Sequence, residues 1–247
     1  MHTSYVFGNS PHLLQLTARE RTRLDQSPSV AVLNGFPPHW RLAGFRPTVW
    51  IVGDCYDAFC RDLLRERMTA AAKDPALFER LHTLFLCPET LDGGEDDMKA
   101  LIHSIRSVMP TVTVRLYNRG HWENTHQTIA TTFDQAMVHR GSSLTDAINI
   151  MALLNPDQPV RIAGCPYKGP QGYFYETPAF ETTEDALALS AKSRLLMWDA
   201  FVDMRRQGID ILDCNMHHGQ RIPRALRLPR APLVPHDSFL ARFLRRS

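Results

Sequence analysis

The sequence predicts an α/β protein, a mostly parallel sheet flanked by helices with a small lid inserted near its end. Three observations predict it. Short apolar runs recur along the chain with helical stretches between them. Several of those runs are continuous and β-branched rather than alternating, as strands buried on both faces are. A glycine, asparagine or serine follows one run after another, where an open parallel sheet presents the ends of its strands.

The elements follow in order. "SYVF" at 4–7 reads as a strand that breaks at Gly8 and restarts as a helix after Pro11. "VAVL" at 30–33 and "TVWIV" at 48–52 read as the second and third strands, followed by a helix over 56–73. "TLFL" at 83–86 precedes a helix over 96–108, and "TVTVRLY" at 111–117 is the fifth strand. A helix over 143–154 leads to "VRIA" at 160–163. The last helix, 183–207, carries Leu187, Leu189, Leu195, Leu196, Trp198, Phe201 and Met204 at roughly helical spacing, and "IDIL" at 209–212 closes the series. Strands alternating with helices imply βαβ units with right-handed crossovers.

Two stretches break this rhythm. Residues 165–183, "CPYKGPQGYFYETPAFETT", are too long for an ordinary βα connection and too aromatic for a linker, which fits a lid. Residues 221–247 form a tail with seven arginines and one acid, Asp237. Its end, "SFLARFLRRS", has the pattern of an amphipathic helix that could touch an anionic membrane, or equally pack along the domain with solvated arginines. Residues 1–220 then form one domain.

Composition narrows the class. The 247 residues, 44% hydrophobic and 22% charged, suit a globular protein, and a net charge of +2 gives no reason to expect a nucleic-acid partner. The five cysteines form no Cys-x-x-Cys pair, which favours a reducing compartment over a disulfide framework. Neither a leader pattern nor an apolar run of roughly 18–20 residues is visible. A cytoplasmic protein, at most peripheral on the inner face of a membrane, is expected; a homo-oligomer is left open.

The strand ends suggest a site. Gly8, Asn9 and Ser10 follow the first strand, Asn34 the second, Gly53 and Asp54 the third, and Gly164 the sixth. Just before the helix at 143 stands "HRGSS", with Arg140, Ser142 and Ser143. Glycine lets a ligand approach the backbone. Asparagine reads hydroxyls or phosphate oxygens without adding charge. Serines at a helix N-terminus, beside an arginine fork, favour an anion. Each residue alone has an ordinary use as a turn or cap; their recurrence is what points to a nucleotide. Metal chemistry is not expected. His217 and His218 are adjacent and face apart, and His121 and His126 around Glu123 miss the helical i, i+4 spacing. His121 remains a candidate acid or base.

The order strand–"GNSP", strand–"LNGF", strand–"VGD", "RGSS"–helix–strand–"AGCPY"–aromatic loop–helix–strand–"LDCN" resembles the bacterial sialyltransferases of glycosyltransferase family 42. It is also similar to the flagellin-modifying glycosyltransferases of the motility-associated-factor type. The likeness runs from about residue 4 to 216 as short motifs. It implies a Rossmann-like fold with a lid, working on a CMP-activated, sialic-acid-like sugar with no metal or other cofactor. The acceptor would be a cell-surface glycan or a lipid-linked one, as in lipopolysaccharide or capsule assembly. It further implies that Gly8, Asn9, Ser10, Asn34, Asp54, Arg140, Ser143 and Gly164 match nucleotide-site positions. Tyr167 and Tyr173 would contact the leaving phosphate.

The chain also departs from that pattern. Ser10 and His12 replace a glycine and a serine of the first turn, and Pro166 replaces an aspartate after Gly164. The family's general-base histidine has no counterpart in "AFETTEDALALSAKS". Glu181, Glu184 or Asp185 could act as a carboxylate base, with Glu184 preferred; His12, His121 or His126 could reach in from elsewhere. The expectation is a glycosyltransferase. The alternatives are a silent relative that binds nucleotide or glycan in surface-polysaccharide assembly, and a Rossmann enzyme with another nucleotide cofactor.

Overall fold

The computed structural model of the chain describes residues 3–53, 58–88, 94–121, 127–164 and 184–213. The lid expected over 165–183 and the tail over 221–247 lie outside these residues, as do Asp54, Tyr167 and Tyr173. Strand β1 is Ser4–Phe7, β2 Val30–Leu33, β3 Val49–Val52 and β4 Thr83–Leu86; β5 is Thr113–Leu116, β6 Val160–Ala163 and β7 Ile211–Asp213. The helices are α1 Ala18–Gln26, α2 Trp40–Ala43, α3 Ala58–Ala72, α4 Pro75–Phe78, α5 Gly94–Val108, α6 Ser143–Leu154 and α7 Glu184–Arg206. No helix among the described residues is long and apolar enough to cross a membrane.

All seven strands are parallel and lie in the order β5-β4-β3-β2-β1-β6-β7. This is a Rossmann-like α/β sheet. The apolar runs are continuous because both faces are covered: every residue of β1, β2 and β3 is buried. Side chains alternate between two cores. Phe7, Val32, Trp50 and Leu84 meet Leu24 of α1, Leu64 and Met68 of α3 and Leu101 of α5 on one face. Val6, Ala31, Ile51 and Ile162 meet Ile148 and Met151 of α6 and Phe201 and Met204 of α7 on the other.

The covering helices change face where the strand order reverses. Connections from β1 to β5 run one way, under α1, α3 and α5; α6 and α7 carry the chain back past β1 to β6 and β7. The reversal lies between β1 and β6, so the crevice of this sheet opens beside Gly8 and Gly164.

Some local expectations change. No α-helix begins at Pro11: Pro11–Gln15 is a 3-10 turn, and α1 starts at Ala18 behind a capping box of Thr17 and Glu20. Strand β5 is two residues shorter at its start and one at its end than the apolar run 111–117, because it is an exposed edge. Helix α1 lacks an apolar stripe, only Leu24 being buried, and was not legible from periodicity.

Candidate functional site

The first turn sits at the crevice and is stitched to β6. Gly8 N–H donates to Ala163 O (2.9 Å) and Ser10 N–H to Gly164 O (3.1 Å). Gly164 has φ +68, and a Cβ there would stand 2.5 Å from Gly8 O, so both conformation and space require glycine. Asn9 is 8% exposed. Its Nδ2 donates to Leu33 O (3.1 Å), which ties β1 to the end of β2. With the amide fixed that way, Oδ1 has no partner among the described residues. The spare atom of Asn9 is therefore an acceptor, suited to a hydroxyl or an amino group rather than to a phosphate oxygen.

The next turns brace one another. Asn34 adopts φ 44, and its Oδ1 accepts from Gly53 N (3.2 Å), while its carbonyl accepts from the Trp50 indole N–H (2.7 Å). Asn34 thus locks the ends of β2 and β3. Gly53 carries no side chain because Ser143 Oγ and the Arg119 guanidinium crowd it: a Cβ would lie 2.8 and 2.9 Å from them. Helix α6 begins here, with Ser142 as its N-cap accepting from Leu144 N (3.1 Å).

Structure and sequence part company over Arg140. The fork expected to face an anion is 2% exposed and turned into the protein. Its Nη1 donates to Asp199 (3.0 Å) and Asp203 (2.6 Å) of α7, and Nη2 donates to Gln127 O (2.6 Å). Two carboxylates already neutralise it, so Arg140 clamps α7 to the α6 entry. Arg119, not singled out in the sequence, is the cation that stands beside Ser143 and Gly53.

A second group was also missed. His139 Nδ1 is 2.8 Å from Asp146 Oδ1. The Tyr117 hydroxyl donates to the other oxygen of Asp146 at 3.3 Å. Asp146 is fully buried in the first turn of α6 and His139 is 11% exposed. Burial pushes the Asp146 carboxyl up; its bond to His139 and the charge of Arg119 oppose that rise. The seven-residue spacing carries no motif, and the pair meets where residues 127–142 lead into α6. That segment is held by polar side chains, the buried Asn149 and the half-buried Gln127. Asn149 accepts from Ala130 N (3.1 Å) and Val138 N (3.3 Å) and donates to Ala130 O (2.8 Å), while Gln127 accepts from His139 N (3.1 Å).

The remaining candidates divide simply. Gly8, Asn9, Ser10 and Gly164 come together at the crevice, and Asn34 and Ser143 meet around Gly53. His121 is exposed on the loop beyond β5. Glu184 is the first residue of α7, and its side chain lies outside the description. Among the described residues no cluster of three or more His, Cys, Asp or Glu side chains is arranged to hold a metal ion. No family model matches the chain, and no curated protein matches it.

Proposed function

We propose that the protein is a glycosyltransferase that binds a CMP-activated sugar at the crevice between β1 and β6 and transfers the sugar to a hydroxyl of a glycan or lipid-linked acceptor. The single observation that carries this reading is Asn9. It is buried at the point where the strand order reverses, with its amide N–H committed and its oxygen unsatisfied among the described residues. A buried polar atom without a partner costs roughly 1–3 kcal/mol, a cost that a ligand donor would remove. A ribose hydroxyl or the cytosine amino group would be such a donor. The start of α6, with Ser143 and Arg119 beside Gly53, supplies the positive end that a phosphate favours. The resemblance in motif order supports the choice of CMP over other nucleotides.

Titration calorimetry with CMP, CDP, UDP and GDP tests this. CMP is expected to bind, and Asn9→Ala to weaken it about tenfold, the value of one hydrogen bond of about 1.4 kcal/mol. Absence of binding by all four at millimolar concentration would leave the protein without a donor site. A silent nucleotide-binding relative is the second reading, favoured by the lack of a histidine in 179–193. It predicts CMP binding without release of CMP from a CMP-sugar.

A further inference from the structure

We propose that His139 is the general base of this site, oriented by Asp146; the proposal rests on the glycosyl-transfer reading and supplies the group that the region after the lid lacks. The geometry is that of a base with its orienting partner. Asp146 is inaccessible to solvent and sits 2.8 Å from Nδ1; with the carboxylate ionised, Nδ1 donates to it and Nε2 is left as the acceptor. Nε2 makes no hydrogen bond among the described residues, and the ring keeps 11% of its surface open. Among the described residues, the titratable and charged groups that act on Asp146 besides His139 are Tyr117 and Arg119 from the β5 exit. Tyr117 holds the second carboxylate oxygen, which stops Asp146 from rotating away from the ring. The backbone of His139 is fixed by Gln127 Oε1 at 3.1 Å.

Position supports the assignment. His139 lies four residues before Ser143, whose hydroxyl lies beside Gly53, just past β3, as does Arg119. Long loops within compact domains are uncommon unless they serve a site, and the one between β5 and α6 is held by fully buried Asn149. In the step itself, the acceptor O–H proton passes to His139 Nε2 as its oxygen forms a bond to the anomeric carbon. The bond from that carbon to the phosphate oxygen breaks, and CMP leaves with the electron pair. His139 then loses the proton to water.

The test uses the full chain, wild type, His139→Asn and Asp146→Asn. The Asn amide at 139 can still donate to Asp146, so His139→Asn keeps the buried contact and removes only the base. CMP affinity is measured by calorimetry and CMP release from a CMP-sugar by single-turnover kinetics. Both variants are expected to hold CMP affinity and KM within about threefold while kcat falls by about 100-fold or more, the usual worth of a general base. Nitrogen-15 histidine spectra should show the Nδ1-protonated tautomer of His139 in wild type and its loss in Asp146→Asn, which ties Asp146 to the ring, while the fall in kcat at unchanged KM separates catalysis from a structural role. Release by His139→Asn at the wild-type rate would overturn the proposal. Wild type that binds CMP but releases none from the donor would also overturn it, leaving the nucleotide site standing. Wild type that binds no nucleotide would overturn the donor reading and this step together.

Discussion

At the scale of residues, identical chemical types serve opposite ends depending on what surrounds them. Arg140 and Arg119 lie on the same loop, but Arg140 is spent on Asp199 and Asp203 of α7. Removing it would take the buried shared cation away from Asp199 and Asp203, leaving Asp203 its more exposed pair with Arg206 (3.1 Å). Arg140→Ala is expected to cost on the order of 3 kcal/mol, read as a lowered urea midpoint with an unchanged slope. An effect confined to nucleotide affinity would contradict that role. Asn149→Ala should leave two amide N–H groups and one carbonyl unsatisfied, costing about 2 kcal/mol and raising amide exchange at Ala130 and Val138. Asn9 was legible from the sequence because it follows a strand end, a place with a known use. His139 was not, because its meaning depends on Asp146, which reads in sequence as an ordinary acid in the first turn of a helix. Arg140 misled for the same reason: its partners are about sixty residues away, on α7.

At the scale of elements, the strands were legible and the short helices were not. Four of the seven strands have the bounds of their apolar runs, since continuous β-branched segments suit a sheet buried on both faces. Helix α1 buries one leucine and is held instead by its ends. Thr17 and Glu20 cap its start, and near its end Asp25 accepts from Arg46 Nη2 (2.7 Å) and Nε (2.9 Å). Its sequence signal was the Thr-x-x-Glu box rather than periodicity. Thr17→Ala is expected to destabilise by about 1 kcal/mol, measured by urea unfolding. The Arg46 guanidinium holds the Asp25 carboxyl below the usual carboxylate range. That contribution is complete above the unfolded value of about 3.9 and is lost as pH falls through the lower folded value.

At the scale of the whole molecule, these local shifts add to a direction. Burial, with the nearby charge of Arg67, depresses His39, so the folded state resists its protonation. Stability from His39 is full above about pH 6.5 and falls as pH drops through its lower folded value. Asp74, held down by Arg41, adds to the loss in more acidic solution, while buried Asp146, pushed up, works the other way. The urea midpoint is expected to decline as pH falls below about 6.5; His82, also depressed by burial and by Arg80, adds to that step, so His39→Gln flattens it in part. An unchanged midpoint in the wild type over this range would discount His39.

The place of β1 has a consequence for synthesis. It pairs with β2 at Val30 on one side and with β6 at Val160 on the other. During translation the five strands from β1 to β5 can assemble first, but the open edge of β1 must wait for β6. So must the sheet face that α6 and α7 cover. The emerging half-sheet thus carries an unpaired edge and a bare apolar face for more than half of the chain. Contacts this distant in sequence are slow to form. Protease resistance of arrested nascent chains should therefore rise late, once β6 has emerged, and the turn that joins Gly8 and Ser10 to Gly164 would be among the later parts of the molecule to form.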